Sequence, residues 1–148
     1  LGTVRRFGRL DVLHNNAAIS TPAMHARDRN AIDIEFEVWD QVMAVNLRGY
    51  LAGCKFALPT MIAQGGGAIV NISTAWAFEP AAMFPTSAVA RAGLAAYTKL
   101  FADEYAARNI RMNNVLPGWI DYNGHMTESR YLFAASETCD AFYQPNEE

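Results

Sequence analysis

The sequence predicts an α/β fold built on a parallel sheet with flanking helices. Three short apolar runs read as strands: "RLDVLHN" from Arg9, "GAIVNIS" from Gly67 and "IRMNNVLPG" from Ile110. Each is separated from the next by a longer segment of helical periodicity. Strand, helix, strand, helix, strand in that order implies parallel neighbours joined by right-handed crossovers.

Each element has its own signal. "LGTVRRFGRL" contains no initiating Met and no apolar signal core; it reads as the tail of a helix, and the chain is expected to be a fragment. The run from Arg9 to Asn15 ends in polar, turn-prone residues, which suits a strand meeting a loop. "AISTPAMHARDRNAID" reads as loop. A long helix is predicted over about Glu35 to Ile62, with Val38, Val42, Val45, Gly49, Ala52 and Phe56 forming one stripe. "QGGG" ends it, with residues free to take positive φ. The run from Gly67 to Ser73 is nearly continuously apolar, as expected of a strand buried on both faces. A second helix is predicted from about Pro85 to Arg108. Pro85 suits a first-turn position, and Leu94, Tyr97, Phe101 and Tyr105 make its apolar stripe. The third strand closes on the Pro117-Gly118 turn. No internal repeat or low-complexity linker is found.

Bulk composition narrows the partners. The chain has 148 residues, enough for one domain with a core, and 51% hydrophobic against 18% charged residues excludes general disorder. A net charge of −3 gives no electrostatic reason to expect nucleic acid or an anionic membrane surface. No apolar run is long enough for a bilayer span. Cys54 and Cys139 stand in no metal-type spacing and read as idle thiols, which favours a cytoplasmic setting. His25 and His125 have no partners at metal spacing, so no metal site is expected. His14 is expected to pack within its strand.

In open parallel sheets, ligands bind beyond the carboxyl ends of the strands. Three segments are therefore expected on one edge: Asn15 to Ala18, Ser73 with Thr74, and Pro117 with Gly118. The first supplies amides and small residues, the second hydroxyls, the third a tight turn.

Four motifs in this order resemble the short-chain dehydrogenase/reductase family. "LDVLHNNAA" is similar to its Asn-Asn-Ala-Gly loop, "VNLRG" to its mid-helix Asn motif, "GGGAIVNIS" to the strand before its active-site hydroxyl, and "RMNNVLPGWI" to its Pro-Gly strand and loop. The resemblance covers about Gly8 to Ile120. It implies a Rossmann-like parallel sheet and an oxidoreductase passing a hydride between NAD or NADP and a small alcohol or carbonyl substrate. It also implies homo-oligomers, because the two long helices of the family pack against a second subunit, where Ala88, Ala92, Ala95 and Ala96 would allow close approach. Residues 1–120 then form a partial dinucleotide-binding domain, and 121–148 a divergent tail.

Carried over by position, the helix Asn falls on Asn46, the substrate-orienting hydroxyl on Thr74, and the cofactor loop on Asn15, Asn16, Ala17 and Ala18. Ala18 stands where the family has Gly, and would be strained if positive φ were required. Pro117 and Gly118 match the turn beside the nicotinamide. The family's catalytic Tyr falls on Ser87, and the Lys that follows it falls on Arg91. These two residues, four apart, lie on one helix face. No Tyr is followed four residues later by Lys anywhere in the chain.

That departure has chemical weight. A phenol has a pKa near about 10, which a nearby cation can lower toward neutrality. An aliphatic hydroxyl is a far weaker acid, so Ser87 does not suit the usual proton transfer. Arg91 stays charged and could grip ribose hydroxyls. Tyr122 and His125 follow the Pro-Gly turn and are candidates to reach the site. The Gly-rich turn that lays pyrophosphate on a helix N-terminus has no counterpart. The expected function is an NAD(P)-dependent oxidoreductase; the alternative is a catalytically impaired member that acts as a cofactor-binding or oligomerising scaffold.

Overall fold

The structure is a computed structural model and describes residues 2–19, 21–74, 77 and 85–116. The Pro-Gly turn at 117 and 118, the expected boundary at 120, and Tyr122, His125 and Cys139 lie outside the described residues. Helix α1 (Gly2–Phe7) leads to strand β1 (Val12–Asn15). Helices α2 (Pro22–Arg27) and α3 (Phe36–Met43) follow, then a π-helical turn at Ala44–Arg48 and helix α4 (Gly49–Ala63). Strand β2 (Gly67–Ile72), helix α5 (Pro85–Tyr105), a 3-10 turn (Ala106–Arg108) and strand β3 (Ile110–Val115) complete the order. Among the described residues the sheet is three-stranded and parallel, in the order β1-β2-β3.

Helix α2 occupies a stretch whose sequence reads as loop. Its start is set by Thr21, whose hydroxyl accepts from the Met24 amide at 3.2 Å, with Pro22 at the first helical position. The cap marks where the helix begins; a helix of six residues also depends on the ties at its ends, Ile19 to Asn46 and Asp28 to the start of α5.

The long helix follows a different face from the one its periodicity predicts. Val38 and Val42 are buried as expected, but the burial then runs through Asn46, Tyr50, Cys54, Leu58 and Met61. Gly49 is exposed, Val45 and Ala52 are half-buried, and Phe56 is 67% exposed. The reason is the π turn. Steps of four residues overshoot an α-helical turn of about 3.6 residues. The wider turn at Ala44–Arg48 absorbs that overshoot, so side chains four apart stay aimed at the sheet.

Beyond α4, Gly65 and Gly66 take φ of +90° and +146°. At Gly66 a side chain would also meet the Asn109 carbonyl oxygen at 2.6 Å. Gln64 fastens this turn to the chain before β1. Its Oε1 accepts from the Leu10 amide at 2.9 Å, and its Nε2 donates to the Leu10 carbonyl at 2.7 Å.

The core lies on one face of the sheet. Cys54, Ala57, Leu58 and Met61 of α4 pack on Ile69 of β2 and on Ile110 and Met112 of β3, with Phe101 and Tyr105 of α5 alongside. Along α5, Tyr97 stacks on Phe101 and Phe101 meets Tyr105 edge-on; all three are half-buried rather than central. Side chains of the opposite face, Val12, His14, Arg111 and Val115, are exposed. His14 is therefore a surface residue, contrary to the packed position expected of it, because it points away from the helices. For the same reason β2 alternates buried with half-buried residues and is not buried on both faces.

The pairing register brings three asparagines level: Asn15 lies opposite Asn71, and Asn71 opposite Asn114. Asn15 Nδ2 donates to Asn71 Oδ1 at 2.9 Å, and Asn71 Nδ2 donates to Thr98 Oγ1 of α5 at 2.9 Å. The Thr98 hydroxyl in turn reaches Asn114 Oδ1 at 2.8 Å and the Leu94 carbonyl at 2.9 Å. Replacing Asn71 by Ala would remove the acceptor of Asn15 Nδ2 and one of the partners of the buried Thr98 hydroxyl. Loss of about 2 kcal/mol in stability is expected, measurable by urea unfolding.

Cys54 sits beside this rung, 3.9 Å from Asn15 Nδ2. Burial pushes its thiol pKa up, partly opposed by that contact. The folded state thus holds the proton more tightly than the unfolded chain. Its contribution to stability is complete below the ordinary thiol pKa of about 8.5 and is lost as pH rises past it. Melting temperatures above that pH should fall, and the fall should be shallower in Cys54→Ala.

Candidate active site

The carboxyl edge of the sheet gathers most of the described candidate residues. Asn46 lies in the π turn and is 2% exposed. Its Oδ1 accepts from the Ile19 amide at 2.8 Å, and its Nδ2 faces the Ile19 carbonyl at 3.5 Å. One amide side chain thereby satisfies both backbone groups of a residue in the loop after β1. The widened turn is what brings this Asn to the sheet side; on the predicted face, Val45 would have taken its place.

The loop so held is small and open. Asn16, Ala17 and Ala18 are exposed, whereas the Asn15 side chain is committed to the asparagine rung. Ala18 is unstrained: among the described non-glycine residues, only Asn109 has positive φ. The family's Gly is not needed for this conformation.

Ser73 and Thr74 follow β2. Ser73 is buried, its amide donating to the Val115 carbonyl at 2.8 Å and its hydroxyl to the Arg91 carbonyl at 3.5 Å. Thr74 is half-buried, and its carbonyl accepts from the Ala77 amide at 3.1 Å. Ser73 thus ties β2 to β3 and α5, while Thr74 begins the loop beyond.

Ser87 and Arg91 occupy the first turns of α5, but their surroundings differ. Ser87 is half-buried, and its amide donates to Asp28 Oδ2 at 3.3 Å. Arg91 is 6% exposed. Its Nη1 donates to the Ile72 carbonyl at 2.7 Å, and its guanidinium lies 4.8 Å from the centre of the Tyr50 ring. The Tyr50 hydroxyl donates to the same carbonyl at 3.3 Å. The cation is therefore folded against the last residue of β2 and the face of a tyrosine. A planar guanidinium suits this stacked seat better than a compact ammonium.

These placements bear on the nicotinamide cofactor that the fold implies. The exposed backbone of Asn16–Ala18 fits the close approach of a ribose or ring. Arg91 lies at the carboxyl end of β2, against Ile72 and Tyr50. Four participants carried no usable sequence signal as site residues: Asp28, Tyr50, Asn71 and Thr98. Asp28 sits in a charged stretch that resembles any solvated loop. The asparagines did leave a trace, since each strand has Asn at its carboxyl end.

Comparison with known proteins gives the class. The family model for short chain dehydrogenases matches residues 2–131. The chain belongs to the short-chain dehydrogenase/reductase family. It is 42% identical over 137 residues to a probable short-chain type dehydrogenase/reductase of Bradyrhizobium diazoefficiens, covering 91% of this chain and 45% of the relative. It is 39% identical over 118 residues to the 3-oxoacyl-[acyl-carrier-protein] reductase of Thermotoga maritima, covering 80% and 46%. Among solved structures, acetoin dehydrogenase from Salmonella typhimurium superposes with a TM-score of 0.72 at 33% identity, covering 81% and 46%. Levodione reductase gives 0.73 at 31% identity, covering 80% and 44%. The chain thus spans a little under half the length of these relatives. No helix of the described residues is long and apolar enough to cross a membrane.

The Tyr50–Arg91 stack can be tested directly. Tyr50→Leu should cost about 2 kcal/mol, because the buried cation loses its aromatic face. Tyr50→Phe should cost well under half of that in the same denaturant titration, since the ring remains.

Proposed function

We propose that this chain forms the nicotinamide side of an NAD- or NADP-dependent oxidoreductase of the short-chain type. Its substrates are small alcohols or carbonyl compounds. The cofactor supplies or accepts the hydride. The observation that carries this reading is the hold of Asn46 on Ile19, which presents the small, exposed Asn16–Ala18 loop at the carboxyl edge of a parallel sheet. Binding there is the general rule for open α/β sheets. The relatives are reductases and dehydrogenases, which supports the same chemistry.

In this reading Asn16, Ala17, Ala18, Pro117 and Gly118 line the cofactor, with Asn15 supporting the loop from below. Thr74 offers a hydroxyl to orient the substrate oxygen. Asn46 holds the cofactor loop, and Ser87 stands at the position of the acid. Because an aliphatic hydroxyl does not release a proton near neutral pH, the proton comes from water or from another side chain. Association of two copies across the outer faces of α4 and α5 fits the exposed Phe56, Val89 and Leu100 and the small Ala92 and Ala96 between them.

A second reading is favoured by one observation. Arg91 is buried and bound to Ile72 and Tyr50, where the family places a Lys that contacts ribose and lowers the Tyr pKa. A protein lacking both groups would bind cofactor and assemble, with little turnover. The intact protein, assayed with NADH and NADPH against a panel of ketones and aldehydes, separates the two. Turnover by the wild type supports the oxidoreductase. Cofactor binding without turnover, followed by a gain of roughly a hundred-fold or more in Ser87→Tyr/Arg91→Lys, supports the impaired relative. Neither binding nor turnover in either protein defeats both.

A further inference from the structure

Two charged residues are buried among the described residues, Asp28 and Arg91, and they are not paired with each other. Arg91 is accounted for above. Asp28 is not: it is 4% exposed, directly follows α2, and lies outside every motif of the sequence.

Its carboxylate caps α5 from a distance of nearly sixty residues along the chain. Oδ1 accepts from the Thr86 amide at 3.1 Å, and Oδ2 accepts from the Ser87 amide at 3.3 Å. A helix start leaves its first amides without intrahelical partners, and its dipole favours a negative charge there. At α5, which runs for 21 residues, that charge comes from a separate element. Among the described residues no ion pair involves Asp28, so the helix start is its described counter-charge. Part of the cost of burying a carboxylate is offset through those two amides.

The consequence reaches the candidate site. The segment between the cofactor loop and α5 is pinned at both ends. Asn46 holds Ile19 at one end, and Asp28 grips the α5 start at the other. Between them lies α2, itself capped by Thr21. Resting on the reading of Ser87 as the residue at the acid position, we infer that Asp28 is a positioning residue that fixes Ser87 relative to the cofactor loop. It acts through the Ser87 backbone and touches neither substrate nor cofactor in this role.

The test uses the intact protein and two variants, Asp28→Ala and Asp28→Asn, with added formate as a free carboxylate. Amide exchange is followed residue by residue along α5. In Asp28→Ala, exchange at Thr86 and Ser87 should quicken by roughly ten-fold or more, while that at Leu94 is unchanged. Formate should restore protection, which a loss of packing alone would not allow. Where the wild type turns over a carbonyl substrate, kcat should fall in Asp28→Ala with KM little changed, and formate should recover kcat. Unchanged exchange at Ser87, quickening spread evenly along α5, or protection that formate does not restore would overturn the inference. If Asp28→Ala does not fold, Asp28→Asn decides: selective quickening at Thr86 and Ser87 supports it, and none overturns it. An inactive wild type would defeat the proposed oxidoreductase activity, while the exchange result would still decide what Asp28 holds.

Discussion

The asparagine rung is the constraint on which the carboxyl edge depends. A strand slipped by one residue turns every side chain to the other face. In an apolar sheet such a slip costs burial alone. Here it would also carry Asn15, Asn71 or Asn114 away from its level partner and leave an amide unpaired in the core. Thr98 extends the same requirement to α5, since its hydroxyl joins Asn71 to Asn114. The three strand ends are thus held level by side chains as well as by the ladder. The loops that leave them start from one line, which is the condition for a shared ligand edge.

The π turn solves a second problem at the same edge. A polar side chain aimed at the sheet from a long helix must be matched to a backbone partner. Asn46 reaches Ile19 because the turn around it is wide. The residues after the turn, Tyr50 and Cys54, keep the alignment that this shift creates. Tyr50 then becomes the floor under Arg91, and Cys54 the neighbour of Asn15. One irregular turn therefore decides which residues of α4 meet the polar rung and which meet the cation.

Much of this was legible in the sequence, and the rest was hidden for identifiable reasons. Strand positions, the parallel order and the two described segments at the carboxyl edge, Asn15 to Ala18 and Ser73 with Thr74, follow from short apolar runs and their spacing. The stripe on the long helix does not, because uniform periodicity assumes a uniform turn and so points Val45, Gly49 and Phe56 at the core. Helix α2 leaves little trace in the sequence because it is only six residues long and has no apolar stripe. His14 was placed inside because an apolar strand suggests cover on both faces, while the exposed face of β1 carries His14 beside Val12. Asp28 could not be singled out at all. Its partners are backbone amides nearly sixty residues away, and backbone amides leave no mark in a sequence.

The Ser87 and Arg91 pair takes on a different meaning once its surroundings are known. By sequence, the exchange of Lys for Arg keeps a cation and the exchange of Tyr for Ser keeps a hydroxyl. In the structure neither exchange is conservative. The guanidinium is seated on Tyr50 and on the last carbonyl of β2, so its charge is spent on joining α5 to the sheet. Ser87 is shorter than a Tyr by a ring, and its described hydrogen bond is made by its amide, to Asp28. What remains at this edge is the half-buried Thr74 and the exposed Asn16–Ala18 loop, while the amide of Asn46 is taken up by Ile19. None of them releases a proton near neutral pH. Under the proposed reading, the proton therefore comes from outside the positions of Ser87 and Arg91.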